Sequence, residues 1–518
     1  MALPDLIEIV PLDQPVRAEI TVPGSKSITN RALILAALAD GEVTLQGALW
    51  SEDTQIMVEC LQELGFMVNP EPDPAESCNR TITIYGNGGA VPPGGTETQP
   101  LELFVGNAGT AARFLAPFLC LGSGVYRLHG VPRMHERPQA ALFQALRELG
   151  YRVESEQGND RLPARIYGGS SRREEALTEK SEIRNPKSEL ETSALTYHSL
   201  FASASAKHCK VSIVESSQFA SALLLSSKVG GWQIVIVGEN ADESPYVVMT
   251  SKLIEAFPRS GRTFQIEPDA SSGSYFWAAA RLVPNAPECL EHSNQFGVCV
   301  PTQQLNRIGV AHWPDSGWQM DELFPDYLML GSRAREAREL DRKRVPLTRE
   351  LLDKLRKKTP KWVISRNHDL GDSIMTAIIW SAHEESRFCL LHEEAFQFTD
   401  LGRLRVQECE RVFALRTELT KCGAKVIEKG DTLTVYPSPL HGAEIETYHD
   451  HRMAMCFAIL GLKVPGIKIK NPACVKKTFP NFFQKLAAPP PQGLGAEIWE
   501  IQTGQRTRKL SGADLFAE

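Results

Sequence analysis

The sequence predicts an α/β protein assembled from one repeated helix-and-strands unit, not one doubly wound sheet. Three stretches predict it. Residues 56–68 read IMVECLQELGFMV and lead, after a polar loop, to the alternating TITIYGNG. Residues 141–153 read ALFQALRELGYRV and lead to ARIYGG, and residues 413–426 read FALRTELTKCGAKV and lead to TLTVYPS. In each, an amphipathic helix is closed by a glycine (Gly65, Gly150, Gly423) where a left-handed residue is needed, and a strand or hairpin follows. A weaker fourth copy is TSKLIEAFPRSGRTFQI at 250–266. A unit repeated this way buries its apolar face only against its neighbours.

Between these units the chain opens several helices with polar residues. In PGSKSITNRALILAAL at 23–38, Pro23-Gly24 punctuates the chain and Ala32–Leu38 is helix-forming. Ser25 or Ser27 can cap the start. A first turn carries unpaired N–H groups and partial positive charge, so Lys26, Ser27 and Arg31 there make a receptor for phosphate or carboxylate. The same residues read equally as a capped core helix with solvated charges. GNAGTAARFLAPFL at 106–119 sets a glycine-rich turn before a helix, with Thr110 and Arg113 in its first turns. SSQFASALLL at 216–225 repeats the arrangement with hydroxyls and an amide. Basic residues cluster in GVPRMHERP (Arg133, Arg137), RVQECER (Arg405, Arg411), HDHRMAM (His451, Arg452) and CVKKTFP (Lys476, Lys477). Arginine holds carboxylate or phosphate in a planar fork, so the set points to a small substrate with more than one anionic group.

Two segments break the pattern. Residues 171–207 are Ser-, Glu- and Lys-rich with little periodicity, which reads as a mobile surface insertion. After Phe483 the chain runs into AAPPPQGLGAE, a proline-glycine stop, and 486–518 reads as an accessory tail. Residues 331–360 are highly charged and read as a solvated helix or loop.

Composition narrows the class. The 518 residues are 42% hydrophobic, enough for a sizeable core and two or three domains. A net charge of −7 argues against a broad nucleic-acid surface. The 11 cysteines show no CxxC pair, which fits a reduced cytoplasmic protein. Neither a signal peptide nor a membrane span is legible. GSKS lacks the upstream glycine and Gly-Lys pair of a phosphate-binding P-loop. His449 and His451 find no further ligand set, so no metal site is expected. No nucleophile elbow occurs, and Ser216 and Ser217 read as hydrogen-bond donors.

The motifs PGSKSITNRALILAAL, SEDT, LFVGNAGTAARF, GVPRMHERP, SSQFASALL, EPDASSGSYFWAAA, DSIMTA, RVQECER, YHDHRMAMCFA and KKTFP occur in the order found in the 5-enolpyruvylshikimate-3-phosphate (EPSP) synthase family. The resemblance covers nearly all of residues 8–485 apart from the insertion. It implies a two-lobed inside-out α/β barrel, each lobe three repeated βαβαββ units, closing like a hinge on substrate. Residues 1–21 and 267–485 would form one lobe and 22–266 the other. The implied reaction moves the enolpyruvyl group of phosphoenolpyruvate to the 5-hydroxyl of shikimate 3-phosphate, on the way to chorismate, and releases phosphate. Neither metal nor organic cofactor is implied, and a monomer is expected.

By the same resemblance, Lys26 would sit between the substrates, and Ser27 and Arg31 would hold shikimate 3-phosphate with Ser216, Ser217, Gln218 and Tyr246. Gly109, Arg133, Arg411, Arg452 and Lys477 would hold phosphoenolpyruvate, with Gln218 touching both. Asp372 matches the family's general base and Glu408 its partner; read without the family, Asp372 is simply a helix cap. Gln407 stands where the family has a substrate-binding lysine, and Arg403 where it has an asparagine. Losing a charge-assisted contact costs about 1.5–3 kcal/mol, or roughly 10- to 150-fold. Phe114 replaces a common proline, and is expected to weaken inhibition by glyphosate. The departures leave an alternative: a same-fold paralogue that is non-catalytic or acts on another phosphorylated alcohol. The sister transferase for UDP-N-acetylglucosamine is disfavoured, because it uses a cysteine and none lies in 125–140.

Overall fold

A glycine that tolerates no side chain marks the point where the chain passes from one unit to another. A Cβ on Gly24 would stand 2.0 Å from the carbonyl oxygen of Gly47, so only glycine lets the two backbones meet. The computed structural model describes residues 3–169, 195–197, 207–238, 244–258, 262–283, 307–330, 362–384 and 395–517. The chain divides into two units: Met1–Pro23, Ala75–Cys78 and Glu267–Glu518 form one, Gly24–Pro74 and Asn79–Ile266 the other. The insertion expected at 171–207 lies outside the described residues except for the strand Leu195–Tyr197 and Lys207, and 331–360 lies wholly outside them.

In the Gly24–Ile266 unit the repeat is explicit. Strand Leu101–Phe104, helix Gly109–Cys120, strand Gly124–His129, helix Ala140–Glu148 and strands Val153–Ser155 and Ala164–Gly168 run in βαβαββ order, with the one-turn helix Pro132–Glu136 interposed before Ala140. The first two strands are parallel, and the hairpin packs antiparallel beside the second. A second sheet has the same arrangement, with strands Asp40–Leu49, Asn79–Asn87 and Val68–Pro72. Its leading strand is supplied from the far end of the segment: Thr263–Gln265 pairs parallel to Asp40–Leu49. A third sheet orders Leu195–Tyr197, Trp232–Val237 and Lys207–Ser212.

The other unit repeats the order in Trp362–Ser365, Ile374–Ser381, Phe396–Thr399, Arg411–Lys421 and the hairpin Lys425–Lys429 and Thr432–Tyr436. A five-stranded sheet joins the N-terminal strand Leu6–Ile9 to Lys468–Lys470 and to Ile498–Gln502. The segment expected as an accessory tail thus supplies two strands, Ile498–Gln502 and Gln505–Leu510, to a sheet that contains the chain's first strand.

Some helices are buried all round instead of on one stripe. Gly109–Cys120 is buried along its whole length, as are Ile374–Ser381 and His451–Gly461. A helix without a wet face must satisfy its polar side chains internally, and such side chains are where the chemistry gathers. Among the described residues, no helix is long and apolar enough to cross a membrane.

Candidate active site

Two constellations of charge arise, one in each unit. In the Gly24–Ile266 unit the first is built on helix Lys26–Leu38. Ser25 occupies its N-cap, but the side chain makes no capping bond; the Ser25 carbonyl accepts from the amide of Thr29 instead. Lys26, at the first turn, places Nζ 3.0 Å from Oδ2 of Asp53. Asp53 is buried in helix Glu52–Glu63, at whose start the Ser51 amide donates to Oγ1 of Thr54 at 2.9 Å.

Arg31 lies one turn further in and is 1% exposed. Its Nε donates to Oγ1 of Thr250 at 2.7 Å, Nη2 to Oγ of Ser221 at 3.1 Å and Nη1 to the carbonyl of Ser27 at 2.8 Å. Thr250 and Ser221 both donate onward to the Tyr246 carbonyl, which leaves their lone pairs for the guanidinium. Phe114 and Tyr246 present ring faces 5.1 and 5.9 Å from the guanidinium carbon. Among the described residues no carboxylate pairs with Arg31, and burial lowers its pKa to about 10, Tyr246 opposing. A buried cation answered only by neutral groups invites an anion.

The serine motif begins helix Gln218–Gly230 beside this cluster. Ser216 Oγ accepts from the Gln218 amide at 3.3 Å, Ser217 is buried at the N-cap, and Ser221 follows one turn on. Gln218 Oε1 accepts from Nη1 of Arg113 at 2.6 Å, which ties this helix to Gly109–Cys120. Asn30 links to that same helix through Thr110 at 2.6 Å.

At the glycine-rich turn the structure redirects an expectation. Arg133 is partly exposed and pairs with Glu136 at 2.6 Å. Arg137, four residues later, is buried: its Nη1 donates to the Asn107 carbonyl at 3.2 Å, and its guanidinium lies against the Cα of Gly109. The sequence displayed both arginines; only the extended backbone of Arg137, just past helix Pro132–Glu136, separates them.

The second constellation is in the other unit. Asp372 precedes helix Ile374–Ser381, and each of its oxygens meets a guanidinium: Oδ1 takes Nη2 of Arg366 at 2.9 Å, Oδ2 takes Nη2 of Arg452 at 3.0 Å. Burial would raise the carboxyl, but Arg452, Arg366 and Arg411 outweigh it and hold Asp372 below the usual carboxylate range. Arg452 also reaches Ser271 Oγ and Tyr275 OH at 3.3 and 3.4 Å. Glu408 bridges Arg411 at 2.9 Å and Lys477 at 3.2 Å. Arg411 further pairs with Asp450 at 2.7 Å and donates Nη1 to Oε1 of Gln407. Asp450 is buried at the N-cap of helix His451–Gly461 and accepts the Arg452 amide at 2.8 Å, so one acid orients two arginines. Cations Arg366, Arg411, Arg452 and Lys477 thus face carboxylates of Asp372, Glu408 and Asp450.

Behind Asp372, the buried Asp321 fixes the backbone. Its Oδ1 accepts the amides of Gly371 and Ser373 at 2.7 and 3.3 Å and the Ser373 hydroxyl at 2.5 Å. Burial raises Asp321 to about 6, with the Ser373 bond opposing and Asp372 adding to the rise. Arg405, counted above among the basic loop residues, turns elsewhere and pairs with Glu410, Glu428 and Asp431.

The expected residues therefore fall into two groups. Lys26, Ser27, Arg31, Ser216, Ser217, Gln218, Tyr246 and Gly109 belong to one unit, and Asp372, Gln407, Glu408, Arg411, Arg452 and Lys477 to the other. Asp53, Arg137, Asp321, Arg366 and Asp450 were not assigned from the sequence. Asp450 carried a signal, an acid immediately before a helix; Asp321 and Arg366 carried none. Among the described residues no three His, Cys, Asp or Glu side chains gather into a metal-holding group.

The fold is that of the enolpyruvyl transferases. The family model for EPSP synthase (3-phosphoshikimate 1-carboxyvinyltransferase) matches residues 11–181 and 362–486. A 3-phosphoshikimate 1-carboxyvinyltransferase from Trichormus variabilis is 33% identical over 502 residues, covering 93% of this chain and 98% of its own. That from Opitutus terrae is 34% identical over 516 residues, covering 94% and 98%. Among solved structures, an EPSP synthase from Acinetobacter baumannii shares the fold at TM-score 0.59 and 18% identity, covering 96% of this chain and 100% of its own. The enolpyruvyl transferase NikO from Streptomyces tendae aligns at TM-score 0.54 and 13% identity, covering 96% and 99%. The chain belongs to the EPSP synthase family.

Proposed function

We propose that the protein transfers the enolpyruvyl group of phosphoenolpyruvate to the 5-hydroxyl of shikimate 3-phosphate, giving 5-enolpyruvylshikimate 3-phosphate and phosphate. The observation that carries the reading is Asp372 held between Arg366 and Arg452, beside Glu408 held between Arg411 and Lys477. Acids that can move a proton stand there among cations that can hold a phosphorylated carboxylic acid.

On this reading Arg31, Ser27, Ser216, Ser217, Gln218 and Tyr246 hold shikimate 3-phosphate, whose phosphate answers the uncompensated guanidinium. Arg411, Arg452 and Lys477 hold phosphoenolpyruvate, with Gly109 as a further contact and Arg137 taking the part expected of Arg133. Lys26, anchored by Asp53, offers its ammonium to both. The methylene carbon gains a proton as the 5-hydroxyl oxygen bonds to the enol carbon and gives up its own proton. Phosphate then leaves while the methyl carbon returns a proton, so the double bond reforms. Asp372, with Glu408, relays these protons. Holding the reactants in register supplies about 7–11 kcal/mol of such a barrier.

The same reading takes each unit as three βαβαββ copies around central helices, the inside-out α/β barrel, in a monomeric cytoplasmic enzyme. The experiment is mass analysis of products from phosphoenolpyruvate supplied with shikimate 3-phosphate, or with other phosphorylated alcohols. Formation of the enolpyruvyl ether with shikimate 3-phosphate supports the proposal; an ether only with another alcohol, or none, refutes it.

A further inference from the structure

Asp372 has a partner that the family motifs did not point to. Arg366 follows strand Trp362–Ser365, which aligns it through a backbone bond from its amide to the Thr399 carbonyl at 3.1 Å. It is 6% exposed, gives Nη2 to Asp372 Oδ1 at 2.9 Å, and its buried Nε has no hydrogen-bond partner among the described residues. Arg452, on the other oxygen, has alternatives in Ser271 and Tyr275, and it is the arginine proposed to take the incoming anion. Position 407 carries an uncharged glutamine.

We propose that Arg366 is a positioning residue: it holds Asp372 aimed and ionised when Arg452 turns to phosphoenolpyruvate, and so supplies beside the base a charge that Gln407 lacks. The inference rests on the synthase reading above. The groups facing Asp372 are Arg452 from helix His451–Gly461, Arg411 and Glu408 at the start of Arg411–Lys421, and Asp321 from the turn Met320–Leu323, besides Arg366. The arginines lower its proton affinity and the two acids raise it. A base works only when ionised, so activity falls as pH drops through its pKa. With Arg366 uncharged, that pKa rises and the fall begins at higher pH.

The test compares Arg366→Gln and Arg366→Lys with wild type. For Arg366→Gln we expect the acid limb of kcat, which reports the substrate-bound enzyme, to move up by about one pH unit or more, since a guanidinium contact of this kind lowers a carboxyl by about 1–3 units. We expect kcat at neutral pH to fall about tenfold while KM for phosphoenolpyruvate changes less than about threefold. Arg366→Lys should keep the limb near its wild-type place. A separate readout needs no turnover: the carboxyl carbon resonance of Asp372, assigned with Asp372→Asn, should titrate at higher pH in Arg366→Gln. An unmoved limb and unmoved resonance overturn the proposal, as does equal loss in both variants with a lowered Tm and an unmoved resonance. A shifted resonance in a protein inert toward both substrates leaves the electrostatic role standing and sinks the synthase reading instead.

Discussion

The side-chain oxygen of Gln407 accepts a hydrogen bond from Nη1 of Arg411, so the residue standing in for the family's lysine works as an acceptor. Arg411 is 1% exposed and already shared between Asp450 and Glu408. An ammonium in the place of that oxygen would meet a guanidinium instead of completing it. Gln407→Lys is therefore expected to bring no gain, with kcat/KM for phosphoenolpyruvate about 3- to 30-fold lower, equal to about 0.7–2 kcal/mol. Steady-state kinetics check this; a tenfold gain would show the glutamine to be a simple loss.

Phe114 acts through Arg31. Its ring lies 5.1 Å from the guanidinium carbon, deep in the unit that is proposed to hold shikimate 3-phosphate. A buried cation–π contact is worth about 0.5–2 kcal/mol. Phe114→Leu should raise KM for shikimate 3-phosphate roughly 2- to 30-fold and leave KM for phosphoenolpyruvate within about twofold. An effect on phosphoenolpyruvate alone would contradict this placement and restore the expectation that Phe114 tunes the glyphosate response.

Gly109→Ala tests Arg137. The added Cβ would stand 2.6 Å from Nη2 of Arg137, at the far end of a flexible side chain that can move. Tm should change by less than about 4 °C, since the helix also gains by losing a glycine worth about 1 kcal/mol. KM for phosphoenolpyruvate should rise about tenfold, the loss of one charged contact of about 1.4 kcal/mol. An unchanged KM would remove Arg137 from the substrate's surroundings.

Asp321 imposes a pH dependence on stability. Its folded pKa, raised chiefly by burial to about 6, lies above the unfolded value of about 3.9. Such a group favours the fold below the unfolded pKa, and that contribution is lost as pH rises through about 6. Its three donors all converge on Oδ1, an arrangement that a neutral side chain retains. Asp321→Asn should therefore gain stability, and so Tm, relative to wild type as pH goes from 5 to 7, by about 1 kcal/mol. Parallel Tm curves for the two proteins would contradict the assignment.

The repeated units were legible because helix and strand periods, closed by Gly65, Gly150 and Gly423, are local signals. The structure places helix Glu52–Glu63, helix Ala140–Glu148 and helix Arg411–Lys421 on them. The leading strand Thr263–Gln265 was not legible as a partner of Asp40–Leu49, since pairing across more than two hundred residues leaves no local pattern. The positions of Lys26, Arg31 and Asp372 followed from motifs. Their partners did not: Asp53, Asp321 and Arg366 meet them only through folding, and nothing near them in sequence announces it. Arg133 and Arg137 show the same limit. Two arginines four apart look alike until the end of helix Pro132–Glu136 turns one inward and leaves the other on the surface.

The most direct measurement is phosphate release from phosphoenolpyruvate in the presence of shikimate 3-phosphate, by wild type and by Asp372→Asn. Turnover by wild type that needs both substrates, falling about a thousandfold or more in Asp372→Asn, is the predicted result. Silence from the folded wild type, or an undiminished rate in Asp372→Asn, would contradict the account.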